Sequence, residues 1–327
     1  MSHRRLRWLV GLMAGCLFSY LLALTSNAAT RSDKEKRGLL GPVRSLTEYV
    51  AECWEQSGKW VEGPRENSEA VDYDRSGRMT KRVFYSEGSV SIKYTWKYDE
   101  RGRLVEEADT GFSPGFDSVK TYRYSSDGRI VNAIYTCGWH DGVQRGTHEY
   151  DSKGCLVEIA WRYYDCPDDY PDGTLASKEV FRYDQKGSKT EELSYHGDGP
   201  LQSRTAFKYD TRGNEIEVDV TWYDLDGSLE WRRVHKYDTS GKETELIAYD
   251  SSGLLDYRET FKYDKDGNMA EKLHYDRDGS LTQRYTYKYT FDSFGNWVKR
   301  TRLMRVTKAG KSYWAPQKAY YRSITYY

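Results

Sequence analysis

Proline is scarce in this chain, with 7 residues, and phenylalanine is nearly as rare, with 9 against 30 tyrosines. Net charge is absent as well: lysine plus arginine number 50, and so do aspartate plus glutamate. That balance leaves no basic footprint of the kind nucleic-acid binding requires. No stretch after the first thirty residues keeps a helical period, which excludes a helical bundle or solenoid. Missing too are paired C-x-x-C ligands and an H-E-x-x-H zinc motif. Zinc and thioredoxin-like chemistry therefore have no local signature. What is abundant is tyrosine, which suits strands with one dry and one wet end, and 28 glycines that recur at regular steps.

The first thirty residues read separately. Arg4, Arg5 and Arg7 precede an apolar stretch from Trp8 to about Thr25, and Ser26-Asn27-Ala28-Ala29 supplies small residues for cleavage. This is the pattern of a secretory signal peptide over residues 1–29, cut after Ala28 or Ala29. Two other readings are a lipid anchor on Cys16 and an uncleaved signal anchor. All three place the body outside the cytoplasm, in the periplasm, secreted, or at the cell surface. Cys53, Cys137, Cys155 and Cys166 then remain, an even number that favours disulfides in an exported protein. Cys137 and Cys166 each follow an aromatic, Tyr135 and Tyr164, by two positions and lie about one repeat apart. A Cys137–Cys166 bridge is the favoured expectation, provided that the enlarged loop after Tyr164 folds back. The pairings of Cys155 with Cys166, Cys137 or Cys53 stay open.

The strongest signal is a repeat. An aromatic residue stands four positions before each of Gly77, Gly102, Gly128, Gly154, Gly187, Gly213, Gly241, Gly267 and Gly295. The aromatics run from Tyr73 to Phe291, and aspartate follows each except Tyr124, where Ser125 stands. The steps are roughly 26 residues, with one longer step that holds Pro167 and Pro171. A second series lies midway, with Gly199, Gly227, Gly253 and Gly279. Between turns, hydrophobicity alternates. Ile216, Val218, Val220 and Trp222 interleave with Glu217, Asp219 and Thr221, the period of a half-buried strand. Aspartate caps such a turn through its side chain, and glycine supplies the positive φ, so the chain reverses as a hairpin.

This spacing predicts an all-β fold of tandem antiparallel hairpins. Residues 30–69 form an N-terminal segment with an opening strand, 70–300 the repeat array, and 301–327 the closing strands. Residues 31–38 are charged and read as disordered. Because twist accumulates, a sheet of about eighteen strands is expected to coil or spiral.

The motif Lys208-Tyr209-Asp210-Thr211-Arg212-Gly213-Asn214 and its counterpart Lys262-Tyr263-Asp264-Lys265-Asp266-Gly267-Asn268 resemble the YD repeats of the rearrangement-hotspot (RHS) family. Asp292-Ser293-Phe294-Gly295-Asn296-Trp297 looks like the terminal unit of small exported members, and Gly38-Leu39-Leu40-Gly41-Pro42-Val43 is similar to their opening strand. The resemblance implies a sheet wound into a shell, which in large members encloses a toxin domain, and repeats linked with carbohydrate or surface binding. No toxin-like segment follows the array here, so an open or partial shell is expected.

Candidate sites are few. The turns Asp224/Asp226, Asp264/Asp266 and Asp276/Asp278 offer two carboxylates each, short of the six to eight oxygens calcium takes. No metal, cofactor or catalytic residue is assigned. Trp96, Trp161, Trp222, Trp231 and Trp297 fall in strands, as core or as an aromatic platform. The expected function is a non-enzymatic extracytoplasmic scaffold or binding protein, acting on a protein partner at the cell envelope. A carbohydrate-binding module is the alternative, and a hydrolase with a dispersed site the second. The partner is expected to be a protein or glycan at the cell surface, with no nucleic acid and no membrane span in the mature form.

Overall fold

The computed structural model describes residues 31–111, 117–137, 142–166, 170–308 and 310–327. The signal-peptide segment lies outside them. Among the described residues, one four-residue helix, α1 (Asp33–Lys36), precedes twenty-one strands, from β1 (Val43–Gln56) to β21 (Lys311–Tyr326). The body is all-β and antiparallel throughout.

Each hairpin is built by its turn. At Asp210-Thr211-Arg212-Gly213-Asn214, the Asp210 side chain accepts the backbone N–H groups of Arg212 and Asn214, both at 2.8 Å. The Gly213 N–H closes the turn on the Asp210 carbonyl, and its φ of 85° is a conformation that a Cβ opposes. The strands that flank such turns shift register by one residue, as between Lys208 and Tyr209, which sharpens the local twist.

The tyrosine of the motif has a separate role. Tyr209 donates its hydroxyl to the carbonyl of Lys189 at 2.8 Å, just past the preceding motif turn. Tyr98 reaches Met79, Tyr183 reaches Leu156 and Tyr263 reaches Glu243 in the same way. In the last unit the partner of Met269 is Tyr289 rather than the motif's Phe291. These repeats are thus clamped to the ones before them. Every motif turn falls at one end of the strands, the motif rim, while the midway turns fall at the opposite rim.

From β3 (Glu66–Tyr73) onward, each strand pairs with the next in sequence up to β21. β1 then inserts between β21 and β3, with Leu46 opposite Ile324 on one side and Val71 on the other. The result is a closed barrel of 20 strands, not the open or spiralling shell that the repeat alone suggests. The reason lies in the terminal strands, which carry no turn motif yet pair along their length. Closure leaves no free edge in the ring. β2 (Lys59–Glu62) stands outside it as a short hairpin on the end of β1.

The segment expected to be disordered, 31–38, is instead the start of a strap. Ser32 caps α1 in a reciprocal box with Glu35. The Lys34 N–H donates to the Gly77 carbonyl at 3.0 Å, and Asp33 accepts the Met79 N–H at 2.9 Å. Leu39 is buried with Val43, Leu46, Val71 and Tyr73 in a dry cluster. Burying that leucine contributes about 2 kcal/mol. Further along, Leu40 exchanges two hydrogen bonds with the Asn296 side chain, at 2.7 and 2.9 Å. The strap therefore runs from the turn after β3 to the turn after β19 (Leu281–Phe291), across the closing seam.

Candidate binding surface on the inner wall

Residues paired across a ladder share a face, and contacts between separated strands identify the concave one. The Lys120 Nζ on β7 (Ser118–Tyr124) lies 4.8 Å from the Trp161 ring centre on β10 (Leu156–Tyr164). β8 (Ile130–Cys137) and β9 (Val143–Tyr150) intervene, so only a tightly curled concave side brings the two together. Following the partners from there places most of the strand tryptophans and all the motif tyrosines on the inner wall.

The inner wall is aromatic and charged together. Tyr94 and Trp96 stack at 6.0 Å, and Trp222 and Trp231 at 5.7 Å, the latter pair beside Arg233. Trp96 and Trp161 are buried, whereas Trp222, Trp231 and Trp297 stay partly exposed. Burial pushes the motif phenols up, to about 12 for Tyr73, Tyr124, Tyr183 and Tyr209. They therefore remain neutral donors across the physiological range. His148 is pulled down to about 4, by burial and by the neighbouring Lys120 ammonium.

On β6 (Leu104–Thr110), Glu107 accepts the Tyr122 hydroxyl and Asp109 that of Ser118. Burial lifts the Asp109 carboxyl above its usual range, and Glu107 and Asp117 add to it. These two acids are held by the wall's own hydroxyls. A cleft of about 380 Å³ between two motif turns, lined by Asp151, Cys155, Tyr183 and Asp184 among others, is a notch between neighbouring repeats.

Charge is paired on both faces. Outside, Arg232 meets Asp219 at 2.7 Å and Lys236 meets Glu245 at 2.7 Å. Inside, Lys272 and His274 share Glu259, at 2.7 and 3.1 Å. A barrel in lipid presents an outward apolar band instead. No helix among the described residues is long and apolar enough to cross a membrane.

The sites read from the sequence are distributed as follows. The nine motif glycines all stand in motif-rim turns at positive φ, between 79° for Gly77 and 88° for Gly295. In the D-x-D-G turns, Asp264 accepts two backbone N–H groups and Asp226 accepts one, so these carboxylates serve the turn. No group of three metal-ligating side chains occurs among the described residues. Cys166 lies in the connection from β10 to β11 (Leu175–Tyr183), where its Sγ packs against Gly142, at the start of β9's hairpin with β8. The side chain of Cys137, at the end of β8, lies outside the described residues. Sequence reasoning missed Asn296 and the arginines of β20 (Trp297–Lys308). Asn296 looks like any turn asparagine, and the arginines look like ordinary alternating polar positions.

No known protein family and no curated protein matches the chain. Among solved structures, a porin-like protein from Bacteroides uniformis is 13% identical, over 88% of this chain and 98% of that one, with a TM-score of 0.33. The Photorhabdus luminescens Tc holotoxin pore is 16% identical over 81% of this chain, with a TM-score of 0.33. The TcdB2-TccC3 structure is 14% identical over 90%, also at 0.33. The chain spans 16% and 17% of the length of those two toxin chains. The likeness extends to long antiparallel β-sheet and no further.

Proposed function

We propose that the protein is a non-enzymatic, water-soluble binding scaffold outside the cytoplasm, and that its ligand surface is the inner wall of the barrel. The observation that carries this reading is the concentration of aromatic side chains on the concave face, with partly exposed Trp222 and Trp231 stacked beside Arg233. Aromatic rings next to charged and hydroxyl groups suit ligands with mixed polar and apolar faces, such as glycans or extended polypeptides. The closed ring disfavours recruitment of a partner by strand addition, since no ring strand has an unpaired edge. Ion pairs on the outer face support a barrel surrounded by water. The signal-peptide pattern supports export, and the repeat motif supports kinship with RHS-type shells.

The test is protection of the inner-wall tryptophans. The mature protein is titrated with a panel of oligosaccharides and peptides while acrylamide quenching of tryptophan fluorescence is followed. A binding member of the panel reduces quenching in the wild type and does so less in a Trp222→Ala/Trp231→Ala variant. If no member of the panel changes quenching, the inner wall is not a ligand surface.

A further inference from the structure

Beside the closing seam, the inner wall carries more guanidinium groups than carboxylates to pair them. Arg37 from the strap forks onto Glu69, with bonds of 2.8 and 2.6 Å, and approaches Glu48 at 3.7 Å. Arg82 shares Glu69, and Arg322 donates to Glu48 at 2.9 Å. Those two acids are thereby fully used. On β20, Arg300 and Arg302 stand two residues apart on the same inner face, opposite Tyr289 and Tyr287 on β19 and Tyr320 and Lys318 on β21. Neither makes an ion pair among the described residues, and the Nε of each is buried without a hydrogen-bond partner. Lys318 is already paired with Glu52 at 2.6 Å.

The two guanidiniums are held by rings. Arg300 lies 4.4 Å from the Tyr320 ring centre and 5.0 Å from that of Trp297, and Arg302 lies 4.9 Å from Tyr285. The Tyr289 hydroxyl also meets Arg300. Stacking fixes the guanidinium plane and leaves edge N–H groups for a planar acceptor. Arg204 and Arg284, by contrast, find acids on the neighbouring strand, Glu191 and Glu271. Two half-buried arginines on one face, each with a buried Nε and no acid beside it, leave cationic groups that an incoming anion can satisfy.

We infer that Arg300 and Arg302 form an anion subsite on the inner wall that binds the carboxylates of an acidic oligosaccharide. The subsite rests on the inner-wall reading above and names the ligand class within it. A saccharide is favoured over an acidic peptide because half-buried Tyr287 and Tyr320 flank the guanidiniums, and a sugar ring packs on the aromatic surface that the arginines leave free while its carboxylate meets the fork.

Isothermal titration of the mature protein with trigalacturonate, triglutamate, maltotriose and inorganic phosphate tests this. Expected are binding of trigalacturonate that weakens with added salt and no binding of neutral maltotriose. Arg300→Gln/Arg302→Gln should weaken trigalacturonate at least ten-fold, and Arg305→Gln, on the outer face of the same strand, should leave it unchanged. Arg300→Lys/Arg302→Lys, which keeps the charge and loses the fork, should fall between; it serves as the readout if the glutamine pair does not fold. Binding of triglutamate or phosphate as tight as that of trigalacturonate overturns the saccharide assignment. Binding of trigalacturonate that is indifferent to both arginine pairs, or absent in the wild type, overturns the subsite. If other panel members still protect the tryptophans, that result leaves the inner-wall reading standing.

Discussion

Replacing Asn296 with alanine should loosen the seam of the barrel without touching the repeat array. Asn296 is 2% exposed, and its side chain makes three seam contacts. It accepts the Leu40 N–H at 2.7 Å, donates to the Leu40 carbonyl at 2.9 Å and donates to the Tyr326 hydroxyl at 2.9 Å. A net contribution of about 1 kcal/mol for each gives a loss of roughly 2–3 kcal/mol. For a domain of this size that lowers Tm by about 3–5 °C. Asn214 occupies the same place in an interior turn and donates only to Asp210, at 2.9 Å, so Asn214→Ala should cost under about 1 kcal/mol. Hydrogen exchange separates the two effects. Asn296→Ala should speed exchange at Leu39 and Leu40 and leave the Gly213 and Gly241 turns protected. Equal melting shifts in the two variants, with strap exchange unchanged, would refute the idea that the strap locks the ring.

Tyr209→Phe removes the donor to Lys189 while keeping the ring, and should cost about 1 kcal/mol in urea denaturation; no loss would mean the clamp is incidental. Gly213→Ala, Gly241→Ala and Gly267→Ala should each destabilise by about 1 kcal/mol, because alanine pays a steric cost at their φ of 80–88°. Three unchanged melting temperatures would contradict the turn assignment. His148, neutral in the folded state down to about pH 4, binds its proton more readily when unfolded. Stability should be full above about pH 6.5 and fall as pH drops from there toward 4, and His148→Gln should flatten that slope in urea midpoints. Non-reducing peptide mapping should find Cys137 and Cys166 in one linked species; separate migration in every digest refutes the bridge.

The hairpins were legible because each rests on a five-residue segment. The aspartate that caps, the glycine that turns and the alternation that follows are all local, and local chemistry is what a single sequence displays. Closure was not legible. It depends on Leu46 facing Ile324 and Glu48 facing Arg322, pairs separated by most of the chain and set by strands without the motif. The strap was misread for a related reason: Ser32-Asp33-Lys34-Glu35 is charged and short, and its order comes from Gly77 and Met79, which lie across the rim. The inner-wall arginines were invisible because alternation says which residues share a face and not which face is concave. The tyrosine clamp falls between these cases, since its partner lies one repeat back and the repeat length already contained it.

Among the described residues, the strap's hydrogen bonds reach the first and last motif turns and the strands beside the seam. The perimeter of the barrel is therefore free of the device that closes it. Inserting or deleting one Tyr-Asp unit adds or removes two antiparallel strands, which preserves the even count a closed antiparallel ring demands. Each unit changes the perimeter by about 12 Å. The fastening of the ends stays as it is, in the manner of a belt whose buckle is indifferent to its length. Barrels of eighteen or twenty-two strands should close on the same strap, and the bore of the protein becomes a matter of how many repeats the chain carries.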